Sequence, residues 1–232
     1  VEVNPLVLAP KGLMALDAAT GRLRWASGEA GTPPGTWGPW TAAVSEGFCL
    51  AVLDGRLSAF ELSGGRKRWE SPEALRVATP PCVGGRVAYL GALEPSGTKL
   101  SFTACAISVP DGKVLWRRHL TSSFDLGPLG EGPRGSVALL GDTLILATDM
   151  GCVAALDALT GDPRWLLRYD AFREGQRRAA SRTGLRWDPN PVLCDGGRVL
   201  LAPRDSEWLL ALDAEDGRIL WAVTGGHAVS LL

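Results

Sequence analysis

Apolar and polar positions alternate along most of this chain with a period of two. The runs "LMALD" (13–17) and "LLALD" (209–213) are typical. So are "FCLAVLDG" (48–55), "GGRVAYLG" (84–91), "DTLILATD" (142–149) and "GGRVLLAP" (196–203). Each run is short and bounded by Gly, Asp or Pro, the pattern of half-buried strands joined by tight turns. The three-and-four spacing of an amphipathic helix is nearly absent. The alternation predicts an all-β chain, and 29 glycines and 16 prolines suit its many turns.

A longer period overlies the alternation. The phrase "ALDAATGRLRW" (15–25) returns as "AFELSGGRKRW" (59–69), "AISVPDGKVLW" (106–116), "ALDALTGDPRW" (155–165) and "ALDAEDGRILW" (211–221). Three columns never change: Ala15, Ala59, Ala106, Ala155, Ala211; Gly21, Gly65, Gly112, Gly161, Gly217; and Trp25, Trp69, Trp116, Trp165, Trp221. Each phrase reads as a hairpin, with Gly supplying a positive φ in the turn. A further strand pair precedes each phrase after the first, which makes about four strands per repeat. Four strands over roughly 40 to 50 residues is the signature of a β-propeller blade. About five four-stranded antiparallel blades are therefore expected across residues 1–232, each ending near one of the five tryptophans. A buried Trp ring removes roughly 150–250 Å² from water. It needs a flat floor, which the Ala and a side-chain-free Gly on the neighbouring blade would supply. The fifteen column residues are thus expected to fasten blade to blade, not to form a site.

Composition narrows the possibilities. Of 232 residues, 46% are hydrophobic and the formal net charge is -1, so a packed core is expected and nucleic acid is not. No run of about 18 apolar residues suggests a transmembrane helix. The opening "VEVNPLVLAPKG" has no basic region followed by an apolar core, so it does not read as a secretory signal. The chain is expected to be a fragment of a longer protein or a processed form. Cys49, Cys82, Cys105, Cys152 and Cys194 match no zinc or redox spacing and are expected to be small buried strand residues.

The repeated phrase resembles the motif Ala-x-Asp-x-x-Thr-Gly-x-x-x-Trp of the quinoprotein, or pyrroloquinoline quinone (PQQ) repeat, β-propellers. Residues 15–25 and 155–165 match it throughout, and 211–221 differ only at Asp216. The resemblance covers essentially the whole chain. It implies a propeller that closes with seven or eight blades, hence an incomplete one here, with the remaining blades elsewhere in a parent chain or on a partner. It implies an extracytoplasmic location, in the periplasm or cell envelope. The family includes quinone-dependent alcohol and sugar dehydrogenases. It also includes non-enzymatic scaffolds such as the lipoprotein propeller of the outer-membrane protein assembly machine. WD-repeat propellers are a poorer match, because the single Trp187-Asp188 pair lies outside the repeating position.

Chemistry is sparse. The dehydrogenases hold Ca²⁺ through Glu, Asn and Asp beside the flat quinone, and often carry an adjacent cysteine pair. This chain has no adjacent Cys pair and no constellation that maps onto theirs residue by residue. "RWDPNP" (186–191) is faintly similar to a family segment, but Asp188 and Asn190 read as turn and capping residues. His119 and His227 are isolated. Ser45 and Ser136 sit in no nucleophile elbow. Asp17, Asp157 and Asp213 recur with the repeat, which marks them as turn residues.

Two departures from the repeat say more. "ALEPSGTKLSF" (92–102) is expected to lengthen the connection between the second and third strands of its blade. "YDAFREGQRRAASRTGLRW" (169–187) lengthens the passage from one blade to the next. Both connections emerge on one face of the disc. Arg173, Arg177, Arg178, Arg182 and Arg186 stand against a single acid, Glu174, in the second insert. With Trp187 and Asp188 they are the candidate contact for an anion or acidic partner, through guanidinium forks. The bland alternative is a solvated loop. The expected function is a non-catalytic scaffold for protein–protein interaction, with a protein or peptide partner and no cofactor. The alternatives are part of a PQQ- and calcium-dependent dehydrogenase, or a sensor domain attached to a signalling enzyme.

Overall fold

The computed structural model describes residues 6–9, 12–27, 42–72, 74–123, 135–172 and 190–225. Among them there are strands and turns but no helix. The strands form five antiparallel sheets, the blades of an incomplete β-propeller. Blade 1 holds β1 (Leu6–Ala9), β2 (Gly12–Leu16) and β3 (Leu23–Ser27). Blade 2 holds β4 (Ala43–Ser45), β5 (Phe48–Leu53), β6 (Arg56–Glu61) and β7 (Lys67–Glu70). Blade 3 holds β8 (Arg76–Val77), β9 (Cys82–Gly84), β10 (Val87–Ser96), β11 (Lys99–Ser108) and β12 (Val114–Ser123). Blade 4 holds β13 (Ser136–Leu140), β14 (Thr143–Ala147), β15 (Cys152–Asp157) and β16 (Pro163–Arg168). Blade 5 holds β17 (Leu193–Asp195), β18 (Arg198–Leu201), β19 (Trp208–Asp213) and β20 (Ile219–Thr224).

Within each blade the strands pair in chain order, with one exception. In blade 3 the first strand is split, so that β8 and β9 both pair with β10. The first strands β4, β9, β13 and β17 of successive blades lie against one another. The core is a set of apolar layers between neighbouring sheets. One layer joins Leu13 and Trp25 to Cys49 and Phe60, and the next joins Leu50 and Leu57 to Leu90 and Ile107. A third joins Phe102 and Ala104 to Leu144 and Leu156, and the fourth joins Ile145 and Val153 to Val199 and Leu212. This explains why whole strands are buried on both faces. In β14 all five residues are buried, as suits a middle strand of an inner blade.

The repeated phrase builds one device five times. Its Ala and Trp are cross-strand partners: Ala15 with Trp25, Ala59 with Trp69, Ala106 with Trp116, Ala155 with Trp165 and Ala211 with Trp221. The register shifts immediately after the Ala in every blade. This β-bulge bends the outer strand and re-aims the Trp. The turn glycines take φ of 68 to 74°, a conformation that costs other residues. Asp17 and Asp157 hold their turns by accepting from the amides two and three residues on. Their second oxygens accept from the bulge arginines, Arg24 at 2.7 Å and Arg164 at 2.9 Å. Hydrogen bonding to Arg24 and Thr20 holds the Asp17 carboxyl down at about 2.

Each indole then crosses to the following blade. Trp25 Nε1 donates to Leu62 O at 2.9 Å, Trp69 to Val109 O at 2.8 Å, Trp116 to Ala158 O at 3.1 Å and Trp165 to Ala214 O at 3.0 Å. The rings lie on Gly65, Gly112, Gly161 and Gly217. A Cβ on any of them would stand 2.4 to 2.7 Å from a ring atom. The Gly column is therefore required twice over, by the turn conformation and by the ring above it.

"ALEPSGTKLSF" differs from the expected long connection. It extends the ladder instead: β10 and β11 stay paired to Ser96 and Lys99, and Gly97 at φ 62° turns the chain. Apolar residues at Leu93 and Phe102 are buried, so the added length carries its own core side and remains sheet. All five cysteines lie on strands and none is disulfide-bonded. Burial pushes the Cys49 thiol up to about 12 and those of Cys105 and Cys152 to about 11. Those three thiols stay protonated, which suits packing groups and not nucleophiles.

Candidate functional site

Strand direction puts the second-to-third-strand turns and the blade-to-blade connections at one edge of the sheets. In blades 4 and 5 three such segments meet: 148–151 between β14 and β15, 169–172 after β16, and 202–207 between β18 and β19. They bring together the polar groups Asp149, Asp205 and Ser206, all buried, with the hydroxyl end of Tyr169.

Asp205 is the hub. Its carboxylate accepts from the Tyr169 hydroxyl at 2.8 Å and from the Gly151 amide at 2.7 Å, and its carbonyl accepts from the Phe172 amide at 2.5 Å. Asp149, held at φ 51°, accepts from the Arg204 amide at 3.3 Å. The Ser206 hydroxyl donates to Asp170 O at 2.9 Å. Thr148 closes its own turn, donating to Cys152 O at 2.8 Å and accepting from Met150 N at 3.2 Å. The buried Asp205 carboxylate is tolerated because both its oxygens are met by donors. The local sequence explains the geometry: "PRDS" supplies the bend that lets Asp205 reach two neighbouring segments.

Burial raises the Tyr169 hydroxyl well above the ordinary tyrosine value, and the nearby Asp205 and Asp149 carboxylates raise it further. The neutral phenol is the form the site holds, since a phenolate would face two carboxylates with nothing to donate. Because the folded-state value is raised, this contact contributes in full below pH about 10 and is lost as pH climbs from there through the higher folded-state value. Tyr89, the other tyrosine, is raised by burial as well. Absorbance at 295 nm is therefore expected to stay flat past pH 10 and to rise only in step with loss of the β-sheet circular dichroism. Tyrosinate appearing near pH 10 with the fold intact would contradict this.

The candidate residues Arg173, Arg177, Arg178, Arg182, Arg186, Trp187 and Asp188 lie outside the described residues. The flanks of their segment are placed, and both are tied to the turn of blade 5. On one side the Phe172 amide donates to Asp205 O. On the other, Asn190 Nδ2 donates to Ala202 O at 3.4 Å. Tyr169 and Asp205 have no counterpart in the repeat columns. The available signal was the longer interval between the apolar runs of β18 and β19, where blade 2 has only Asp54 and Gly55. His119 is exposed on β12 and pairs with Ser122 Oγ at 2.8 Å, an ordinary strand contact. His227 lies outside the described residues.

Among the described residues, no three His, Cys, Asp or Glu side chains stand together where they could hold a metal ion. No helix among these residues is long and apolar enough to cross a membrane.

A family model described as outer membrane protein assembly factor BamB matches residues 11–184. No curated protein matches the sequence. The structure of BamB from Moraxella catarrhalis is 17% identical, with 92% of this chain covering 58% of that one at a TM-score of 0.63. Quinohemoprotein alcohol dehydrogenase ADHIIG from Pseudomonas putida HK5 is 18% identical, with 96% of this chain covering 41% of that one at 0.66. The computationally designed Ika8 protein is 11% identical, with 95% covering 61% at 0.62. At such identities the likeness is one of fold. The chain spans less than two thirds of each of these structures.

Proposed function

The chain belongs to the PQQ-repeat family whose model is described as outer membrane protein assembly factor BamB, and on that premise we propose that it is a non-catalytic propeller scaffold for protein–protein interaction. The observation that carries the proposal is the use to which the connecting face puts its acids. Asp205 and Asp149 accept from amides and a hydroxyl of the fold itself, and so fasten three segments into one platform. The arginine-rich insert leaves that platform at Phe172 and returns at Asn190, held at both ends by the same turn. Such a footing suits presentation of Arg173, Arg177, Arg178, Arg182 and Arg186 to an acidic, extended segment of a partner. Extracytoplasmic placement belongs to this proposal, on the strength of the family.

The test is fluorescence anisotropy with a labelled, extended, Glu-rich peptide. Binding is expected, weakening about tenfold in Arg177→Glu/Arg178→Glu and falling with added salt. Affinity untouched by the charge reversal would overturn the assignment of this segment.

The fold it shares with the quinohemoprotein alcohol dehydrogenase favours a second reading, part of a quinone-dependent dehydrogenase. A fold shared with a designed protein shows how little chemistry the architecture implies. The two readings separate in a tryptophan-fluorescence titration with PQQ, with and without Ca²⁺. The scaffold predicts no saturable quenching. Calcium-dependent one-to-one quenching would replace it with the dehydrogenase.

A further inference from the structure

At the connecting edge of blades 4 and 5 the hydrogen bonds form a ring. Tyr169 N donates to Gly151 O at 3.1 Å. The Gly151 amide donates to one oxygen of the Asp205 carboxylate at 2.7 Å, and the Tyr169 hydroxyl donates to the other at 2.8 Å. Each of the three segments is therefore bonded to both of the others. The corresponding turn of blade 2 makes the first of these contacts, Val77 N to Gly55 O at 2.7 Å. Blade 4 adds to it a carboxylate that comes from the next blade. Gly151, at φ 72°, lets the segments approach closely: a Cβ there would stand 3.4 Å from both Ala171 Cβ and Tyr169 O. Two further contacts tie the same segments, Phe172 N to Asp205 O at 2.5 Å and the Ser206 hydroxyl to Asp170 O at 2.9 Å.

A buried ring of this kind is cooperative. Asp205 is 4% exposed and Ser206 is fully buried, so water can replace a lost partner only when the segments part. Loss of one side then loosens the other two, and 148–151, 169–172 and 202–207 open as one unit. The arginine-rich insert leaves this ring at Phe172 and returns at Asn190, whose Nδ2 donates to Ala202 O at 3.4 Å. Both ends of the insert are thus fixed to a turn of blade 5 whose Asp205 reaches back to blade 4.

We propose that Asp205 couples the insert to the turn of blade 4, so that partner binding at the insert and an intact ring stabilise each other. The coupling is reciprocal: a ligand that favours the ordered ring is in turn bound more tightly by it. The proposal rests on the scaffold reading of the insert.

Hydrogen exchange at the Gly151 and Phe172 amides, followed by NMR, tests it in two steps. In the free chain, Tyr169→Phe removes the hydroxyl and leaves every backbone group in place. The Gly151 amide does not touch that hydroxyl, yet its exchange is expected to quicken together with that of Phe172, by about tenfold more than the amides of β5 in blade 2. Asp205→Asn, which keeps the shape and one acceptor oxygen, should do the same. A Gly151 amide that exchanges in Tyr169→Phe as it does in the wild type would mean three independent contacts and overturn the proposal. The extended, Glu-rich peptide is then added. At saturation it should slow both amides at least about threefold in the wild type, and Tyr169→Phe should bind it about threefold more weakly with an unchanged salt dependence, since no charge of the insert differs. Binding that depends on Arg177 and Arg178 but leaves both amides and the Tyr169→Phe affinity unchanged would overturn the coupling and leave the scaffold reading standing. A peptide that does not bind would sink the scaffold reading and the coupling with it.

Discussion

Trp165→Ala is expected to lower the free energy of unfolding by about 3–5 kcal/mol, whereas Trp221→Ala should cost about 1 kcal/mol or less. The two residues occupy the same column and the same place on their strands. They differ in what lies above the ring. Trp165 is buried in the layer between blades 4 and 5, on Gly217 and hydrogen-bonded to Ala214 O. Truncating it empties that layer and leaves the Ala214 carbonyl without its indole donor. Trp221 stands 44% exposed with no such partner among the described residues, so truncation mainly trims solvent-facing surface. Urea unfolding followed by circular dichroism compares the two. Similar losses for both would mean that the ring acts within its own blade and not across the joint.

Gly161→Ala should be nearly as damaging, at about 3 kcal/mol or more, while Gly21→Ala should cost only about 1–2 kcal/mol. Both glycines sit at positive φ, 73° and 68°, so both substitutions carry the same backbone strain. Only Gly161 adds a collision. Its Cβ would lie 2.6 Å from the Trp116 ring, which cannot retreat without giving up the hydrogen bond to Ala158 O. The difference between the two therefore isolates the joint from the turn. Thermal unfolding of both variants reads it as a difference in Tm. Equal shifts would assign the Gly column to turn geometry alone.

Much of the architecture could be read from pattern. Strand alternation and the Ala, Gly and Trp columns identify the hairpin, its turn and its period, because these are local requirements. A two-residue period suits a pleated strand, and a positive φ suits glycine wherever the chain goes next. "ALEPSGTKLSF" shows where pattern stops. A run containing Pro95, Ser96 and Gly97 looks like a loop, but Leu93 and Phe102 find burial and keep the strands paired. Whether such a segment remains sheet depends on what covers it, and cover comes from residues distant in sequence.

The connecting face is a sharper case. Arginine density pointed to 173–186, since charge is visible residue by residue. Tyr169, Asp149 and Asp205 drew no notice, because a tyrosine and two aspartates scattered over 57 positions carry no joint signal. They become a site only when three turns from two blades arrive at one edge and put a hydroxyl 2.8 Å from a carboxylate. The same holds for the ends of the arc. The five repeat tryptophans are equal as letters, and so are the five repeat glycines. Short-range sterics and hydrogen bonding make each repeat fold as a hairpin of one kind. Which Trp is buried follows from the neighbour across the joint, and burial is a property of neighbours.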